Sequence, residues 1–144
     1  QRLVLWLELL LACAAGEAPT GAALVGRDGQ RFRVLERLEA LPAAAAADHL
    51  EQLRQWHGRY SQRCWPLPPD TGWAFASSAE PRRWSAAQGA WEGNAMLRGE
   101  RRDPVQAVCF GADLPAAELL TAELQQLALE LHGPLLERRQ EVKG

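Results

Sequence analysis

The chain opens with a segment that is apolar at almost every position. Residues 3–15 read LVLWLELLLACAA, and Glu8 is the charged side chain within them. One interpretation is the core of a signal peptide, because Leu10–Cys13 resembles a lipoprotein cleavage box. An ionised Glu8 is costly in such a core, and the run is too short to span a bilayer. We therefore favour a buried helix that ends at Gly16, a residue suited to a helix C-cap.

Two runs with the character of strands flank the pair Asp28-Gly29. The runs cover residues 22–27 and 30–36, and the second contains the alternating sequence RFRV. An Asp-Gly pair supplies the two positive-φ positions of a type I′ turn, so the pattern predicts a β-hairpin. Alternation of apolar and basic residues predicts that its second strand is half-buried.

A helix is predicted after Pro42, where five alanines precede a stripe at helical spacing. The stripe consists of Leu50, Leu53, His57 and Tyr60. No second histidine stands four residues after His57 or His49, so we interpret both as core or interface residues rather than metal ligands.

Prolines stiffen the next segment, CWPLPPDTGWAFA, and exclude a helix at Pro66–Pro69. Asp70 or Thr71 is placed to cap a short helix that carries Trp73 and Phe75. A further helix from about Arg83 to Trp91 would place its two tryptophans, seven residues apart, on one face.

The last predicted helix starts near Asp113 and Pro115. Its leucines recur every three or four residues as Leu120, Leu124, Leu127 and Leu131. Gly133-Pro134 is expected to end it, and the polar tail ERRQEVKG is expected to fray.

The sequence AWEGNAMLRGE, from Ala90 to Glu100, joins a tryptophan, two glycines and an Arg-Gly-Glu triplet. It has no nucleophile or metal-ligand pattern, which predicts a structural corner rather than an active site. Glu92, Glu100 and Asp103 are close enough in sequence to hold Mg²⁺, but no nuclease signature accompanies them. Phosphate-binding loops and serine elbow motifs are also missing from the sequence. We therefore predict no catalytic, cofactor-binding or metal-binding residues in this chain, and no cofactor.

A length of 144 residues is typical of one domain. The net charge of −2 means that the chain as a whole has no positive field that would attract nucleic acid. Cys13, Cys64 and Cys109 form no C-x-x-C pair, so we expect reduced thiols and a cytoplasmic location without a membrane. The chain begins at Gln1 and its methionine is Met96, which indicates a piece of a longer protein.

Six tryptophans are an unusual number for this length. We interpret them as anchors in a core or a subunit interface. The candidate interface residues are Trp56, Tyr60, Trp73, Trp84 and Trp91. The alternative is a single-stranded-DNA binding module in which exposed tryptophans, Trp84 and Trp91, stack on bases.

An ordered series of segments resembles the C-terminal region of RecC, the gamma subunit of exodeoxyribonuclease V. The series is QRLVLWLELLLACAAG, DGQRFR, HLEQLRQWHGRY, PLPPDTGWAFA, AWEGNAMLRGERRDP and HGPLL. The resemblance extends over the whole chain. It implies one C-terminal domain over residues 1–144, of the α+β class, mostly helical with a β-hairpin.

The resemblance also implies a history and a function. Such a domain is the later portion of a degenerate PD-(D/E)xK nuclease-like domain, in which Gln1 and Trp6 look like remains of the nuclease helix. Its parent complex, RecBCD, is an ATP-dependent helicase and exodeoxyribonuclease that processes double-stranded DNA ends for recombinational repair. We expect this chain itself to be a non-catalytic assembly domain whose partners are RecB and RecD, and which reaches DNA ends through the complex.

Overall fold

The computed structural model describes residues 1–29 and 31–142. The chain separates into two compact units. The sheet unit consists of Gln1–Gln62 and Glu137–Gly144, and the helical unit consists of Arg63–Leu136. Helices together with an antiparallel sheet confirm the predicted α+β class. The assignment of residues 1–144 to a single domain stays a prediction.

The sheet unit contains two helices and three strands. They are α1 (Arg2–Ala14), β1 (Gly21–Asp28), β2 (Arg31–Glu39), α2 (Ala43–Tyr60) and β3 (Arg139–Glu141). The sheet is antiparallel in the order β1-β2-β3. Packing of α1 against α2 and β1 builds the core of this unit.

The predicted hairpin is present, and its turn lies one residue later than expected. Asp28 pairs with Arg31 in the β1–β2 register, so Asp28 is the last residue of a strand. The connection begins at Gly29, whose φ of 59° is readily adopted by glycine. The assignment of Asp28 to the turn is therefore wrong. Residue 30 of the predicted second run lies outside the described residues.

Alternation in β2 is interrupted by a β-bulge at Leu35, because Leu24 pairs with Glu36 and Val25 pairs with Val34. Val34 therefore does not continue the face of Glu36, which is buried. Phe32 is 79% exposed, so the half-buried strand predicted from residue 31 onward begins only at Val34.

The helix predicted over residues 3–15 is α1, and its end is confirmed. The Glu17 N–H donates to the Ala12 carbonyl across Gly16, whose φ is +78°. Its inward face buries Trp6, Leu9, Leu10 and Cys13. Its outward face, which carries Val4, Leu7, Glu8 and Leu11, is exposed, so α1 is buried on one side only.

The predicted alanine-rich helix is α2, which buries Ala46 and Trp56. The Trp6 ring meets the His49 imidazole at 6.1 Å between centroids, which places His49 in the core contact between α1 and α2. His57 is exposed, so it is not a core residue. The expectation of a core position is met by His49, and an interface position for His57 stays a prediction.

A buried carboxylate joins three elements of the sheet unit. Glu36 accepts hydrogen bonds from Arg2 Nε at 2.9 Å and 3.0 Å and from Arg2 Nη2 at 2.6 Å. Arg139 Nη2 donates to the same carboxylate at 3.0 Å. These charge-assisted bonds, led by those from Arg2, lower the pKa of Glu36 against the opposing effect of burial.

Part of the tail that was predicted to fray is strand β3, and residues 143–144 of that tail lie outside the described residues. Arg139 pairs with Leu38, Glu141 pairs with Glu36, and the Val142 N–H donates to the Leu35 carbonyl at 3.2 Å. The prediction of fraying is wrong for these residues. They are held by strand pairing and by an ion pair with β2, whose residues lie far earlier in the sequence.

The helical unit contains five helices and one short 3₁₀ turn within its described residues. The helices are α3 (Pro69–Ser77), α4 (Arg83–Glu92), α5 (Pro104–Phe110), α6 (Ala116–Leu119) and α7 (Ala122–Arg138), and the turn is Glu100–Arg102. The end of α7 extends beyond the unit's last residue, Leu136.

The predicted start of the last helix near Pro115 is confirmed, because Pro115 is the N-cap of α6. The predicted continuity and end of this helix are wrong. The helix is interrupted between α6 and α7, where Thr121 Oγ1 accepts the Leu124 N–H as an N-terminal cap. Helix α7 then continues through Pro134, since a proline removes one backbone donor without preventing further packing. Leu135, directly after it, is fully buried.

Cys64 and Cys109 are joined by a disulfide, with Cα atoms 5.6 Å apart. The prediction of reduced thiols is wrong for this pair, because the fold brings together cysteines separated by 45 residues. Cys13 is free and buried. The cytoplasmic location stays a prediction.

We expect Glu36→Ala to lower the free energy of unfolding by about 2–3 kcal/mol, because it leaves two guanidinium groups without their shared carboxylate. The loss stays at the lower end of the range for buried ion pairs, since the Arg2 side chain is 41% exposed. Urea denaturation followed by circular dichroism measures it. Glu39→Ala is the control, because Glu39 is exposed on the same strand. Equal losses for both variants would contradict the role of Glu36.

Candidate functional site

The segment from Ala90 to Glu100 forms a tight reversal at the end of α4. Gly93 pairs with Arg98 through an isolated antiparallel bridge, and its φ is 73°. Between them, Asn94 Oδ1 accepts the N–H groups of Met96 and Leu97. Gly99 passes so close to the Trp91 carbonyl that a Cβ would stand 2.4 Å from it. These contacts make the segment the structural corner that the sequence predicts.

Glu100, the last residue of the corner, closes the N-terminus of α3. Its carboxylate accepts the N–H groups of Asp70 and Thr71 at 3.0 Å and 2.7 Å, and the Thr71 hydroxyl at 2.7 Å. Burial raises the pKa of Glu100, while these three hydrogen bonds act in the opposite direction. The prediction that Asp70 or Thr71 caps this helix is wrong, because Pro68 is the N-cap. Its side chain has no hydrogen-bond acceptor, and the distant carboxylate of Glu100 supplies one instead.

The two neighbouring acids act in the same way on other helices. Glu92 accepts the Ala116 N–H at the start of α6, and this bond is the main cause of a lowered Glu92 pKa. Asp103 caps α5 by accepting the N–H groups of Val105 and Gln106. Each of the three acids considered for Mg²⁺ is therefore occupied by backbone donors at a helix start.

The described residues contain no group of three or more His, Cys, Asp and Glu side chains arranged to hold a metal ion. The expectation that this chain has no catalytic, cofactor or metal site stays a prediction. Within 1–29 and 31–142, no helix is both long and apolar enough to cross a membrane.

Two of the five candidate interface aromatics lie in cores. Trp56 is buried in the sheet unit, and Trp91 is fully buried in the helical unit. The Trp91 indole N–H donates to the Leu114 carbonyl at 2.7 Å, and Phe110 meets its ring edge-on at 5.8 Å. Trp91 has no exposed face that could stack on a base in this structure. Of the two tryptophans in the alternative DNA-binding prediction, Trp84 is therefore the one that remains available.

The other three candidates are more accessible. Tyr60 and Trp73 are half-buried, and Trp84 is 40% exposed. Trp73 meets the ring of His132 edge-on, with centroids 5.5 Å apart. The assignment of Trp56, Tyr60, Trp73, Trp84 and Trp91 to an interface stays a prediction, and Trp84 offers the most accessible ring of this set.

His132 is a buried polar side chain that the sequence analysis did not single out. It lies on α7 against Trp73, and its two ring nitrogens have no hydrogen-bond partner within the described part of the chain. Burial lowers the pKa of His132 to about 4. The imidazole is therefore neutral at pH 7.

The outward face of α1 is a second feature that sequence reasoning missed. Val4, Leu7 and Leu11 recur at helical spacing and are 59%, 41% and 53% exposed. A helix that is apolar at almost every position is normally buried on most sides, and here only its inward face packs on the sheet unit. The outward side carries the exposed Glu8 together with these three apolar residues. The apolar run was therefore the signal of an exposed apolar surface. We call these three residues the α1 outer face.

Exposed apolar residues also occur in the helical unit. They are Met96 and Leu97 in the corner and Val105 and Val108 on α5. Single exposed apolar side chains are normal on protein surfaces. Both residue pairs lie on short elements, so they form a less regular surface than the α1 outer face.

The model of one protein family matches residues 1–80, more than half of the chain, and is described as the RecC C-terminal domain. The match confirms the resemblance predicted from the sequence for this part of the chain. For residues 81–144 the resemblance stays a prediction. Comparison with curated proteins and with solved structures finds no match.

We expect Glu100→Ala to lower the free energy of unfolding by about 1–2 kcal/mol, because the first donors of α3 and the buried Thr71 hydroxyl lose their acceptor. Glu100→Gln keeps an acceptor oxygen and should lose less. Thermal and urea denaturation measure both changes. Asp113→Ala removes an exposed acid as the control. A stability of Glu100→Ala equal to that of the unchanged chain would rule out the cap.

We expect stability to fall between pH 6.5 and pH 4 through His132. In this window the unfolded chain binds a proton that the folded, neutral imidazole does not, so unfolding becomes more favourable as pH falls. The loss between pH 7 and pH 5 is about 2 kcal/mol. His132→Leu should remove this slope and His57→Gln should keep it, as measured by denaturation at each pH. A slope that survives His132→Leu would assign it to other groups.

Proposed function

The chain belongs to the RecC C-terminal domain family, and from this premise we propose that it is a non-catalytic assembly domain of a RecBCD-type complex. Membership of the family implies a function connected with DNA processing by RecBCD. The proposal adds that this domain holds subunits together. In that setting it acts on double-stranded DNA ends, and on their repair by recombination, through the complex rather than by chemistry of its own.

The α1 outer face is the observation that carries the proposal. Its three apolar side chains lie on a helix whose position is fixed from the other side by buried Trp6 and Leu10 and at its start by Arg2. A rigid apolar stripe loses little conformational freedom when a partner covers it. Burying the exposed part of each side chain contributes about 1 kcal/mol.

The occupied carboxylates support a role without catalysis. A nuclease site needs acidic oxygens that are available to Mg²⁺. Glu92, Glu100 and Asp103 instead accept backbone N–H groups of three helices. Any metal bound there would compete with the caps that hold the helical unit together.

The proposal also includes the evolutionary origin of the domain. We regard the domain as the later portion of a degenerate PD-(D/E)xK nuclease-like domain, with α1 as the former nuclease helix. Trp6 on that helix is buried against His49, which suits a residue retained for packing. Its partners would be RecB and RecD, with no cofactor bound by this chain.

The test measures capture of RecB and RecD, from the same organism, by the tagged chain and its variants. We expect the triple change Val4→Ser, Leu7→Ser and Leu11→Ser to weaken capture at least about tenfold, since apolar area is lost from the contact. The residues are exposed, so the variant should fold, and circular dichroism checks this. The double change Val105→Ser and Val108→Ser on α5 is the matched control.

Three results would count against the proposal. Capture of neither subunit by the unchanged, folded chain would refute the assembly role. Equal loss by the α1 and α5 variants would refute the α1 outer face as the contact. Mg²⁺-dependent cutting of linear DNA by the purified chain, abolished by Glu92→Gln, would show catalysis instead.

A further inference from the structure

The disulfide of the helical unit is accessible from solvent. Cys64 lies in the segment that precedes α3 and is exposed, while Cys109 lies in the last turn of α5 and is half-buried. Exposed disulfides are more easily reduced than buried ones, because a thiol reagent can reach one of the sulfur atoms. The covalent link between these two segments is therefore open to chemical attack at Cys64.

Helix α5 is weakly held apart from this link. All seven of its residues are described, and none of them is buried. Val105 and Val108 are 66% and 86% exposed. The main contact of α5 with another element is with the 3₁₀ turn Glu100–Arg102, which immediately precedes it in the chain. Phe110 adds an edge-on contact with the Trp91 ring. A segment with so few buried contacts opens locally with little loss of free energy.

The other helices of the unit are anchored by burial. Even α6, with four residues, buries Ala116 and Leu119, and α3 buries Phe75 and Ala76. Helix α5 instead has a covalent bond to a segment 45 residues away. Such a bond restricts the chain strongly, because it closes a long loop. The disulfide therefore provides the anchor that burial provides for the neighbouring helices.

A covalent anchor of this kind depends on the redox state of its surroundings. Disulfides are rare in the cytoplasm, and those that occur there are usually transient and redox-sensing or catalytic. In the cytoplasmic location that we predict for this chain, Cys64 would be exposed to the thiols of small molecules and proteins. The same bond would be stable in an oxidising environment.

We propose that the Cys64–Cys109 pair is a site of reversible thiol–disulfide exchange, and that its redox state determines whether α5 is anchored to the helical unit. The reagent is a thiol, such as glutathione or the dithiol of a thioredoxin-type protein. The inference does not rest on the proposed assembly function, and it involves no residue of the α1 outer face.

The exchange with glutathione takes place in two steps. A glutathione thiolate attacks Sγ of Cys64, forms a mixed disulfide with it and displaces the thiolate of Cys109. A second glutathione thiolate attacks the glutathione sulfur of the mixed disulfide and displaces the thiolate of Cys64. Both cysteines then take up the protons that the two glutathione thiols released. The protein disulfide is reduced by two electrons, and the two glutathione molecules leave as oxidised glutathione.

Reduction leaves α5 with its non-covalent supports only. Asp103 still caps its first turn, and Phe110 still contacts Trp91. We therefore expect the reduced helix to open more often without loss of the rest of the unit. Helix α7, which buries Leu127 and Leu135, should keep its structure.

The experiment equilibrates the folded full chain in glutathione buffers of increasing reduced-to-oxidised ratio. Alkylation followed by mass spectrometry then counts the free thiols. We expect the pair to pass from a disulfide to two thiols without denaturant, while the buried Cys13 stays unmodified. Hydrogen exchange compares the two forms. Amides of α5 should exchange at least about tenfold faster after reduction, and amides of α7 near Leu127 should change much less.

Cysteine variants separate the exchange site from a general effect of thiols. Cys109→Ser leaves the exposed Cys64, which should gain one glutathione from oxidised glutathione. Cys64→Ser leaves Cys109, which should react more slowly because the closed α5 half-covers it. Both variants should show the fast α5 exchange without added thiol. Cys13→Ala is the matched control and should titrate like the unchanged chain, with circular dichroism confirming that each variant is folded.

Four outcomes would overturn the inference. The first is a chain that forms no disulfide in oxidised glutathione. The second is a disulfide that glutathione reduces only after denaturation, since the bond would then be purely structural. The third is equal exchange of the α5 amides in the oxidised and reduced forms. The fourth is faster modification of Cys109 than of Cys64. None of these measurements involves RecB or RecD, so this inference and the proposed function fail independently.

Discussion

The buried carboxylate of Glu36 is the constraint on which the sheet unit depends. A charge removed from water must be matched by opposite charge and hydrogen bonds, and Arg2 and Arg139 supply both. The ion pair with Arg2 fixes the start of α1, and the ion pair with Arg139 fixes the start of β3. With the start of α1 fixed, one face of this helix turns inward and the other, which carries Val4, Leu7 and Leu11, turns outward.

The helical unit depends on a different requirement, the satisfaction of backbone donors at helix starts. Its helices are short, so unpaired N–H groups are a large fraction of their backbone. The chain meets this need with side chains remote in sequence: Glu100 reaches α3 and Glu92 reaches α6. The two glycines of the corner allow the close approach that brings Glu100 into place. The segment from Ala90 to Glu100 is thus explained by its structural role, which is to place a carboxylate at the start of α3.

The features that could be predicted from the sequence are local. The apolar run of α1, the alanines of α2 and the spacing of Trp84 and Trp91 each identify a helix from neighbouring residues. The features that could not be predicted depend on partners far along the chain. Nothing near Arg139 indicates that it pairs with Glu36, and nothing near Cys64 indicates Cys109. Pro134 misled for the same reason, because burial of Leu135 carries α7 past a residue that usually ends a helix.

The candidate site shows the same division between local and remote information. Residue type alone could not decide whether a tryptophan anchors a core or a subunit interface, and the structure shows that Trp91 is fully buried and bonded to Leu114. The surface that remains open on α1 consists of Val4, Leu7 and Leu11. A conflict between residue type and environment identifies it, since these apolar side chains have no cover. Such conflicts become visible only when burial is known for each side chain, and each persists in a folded chain at a small cost in stability. The proposed protein partner would resolve the conflict on α1 by covering its exposed apolar face.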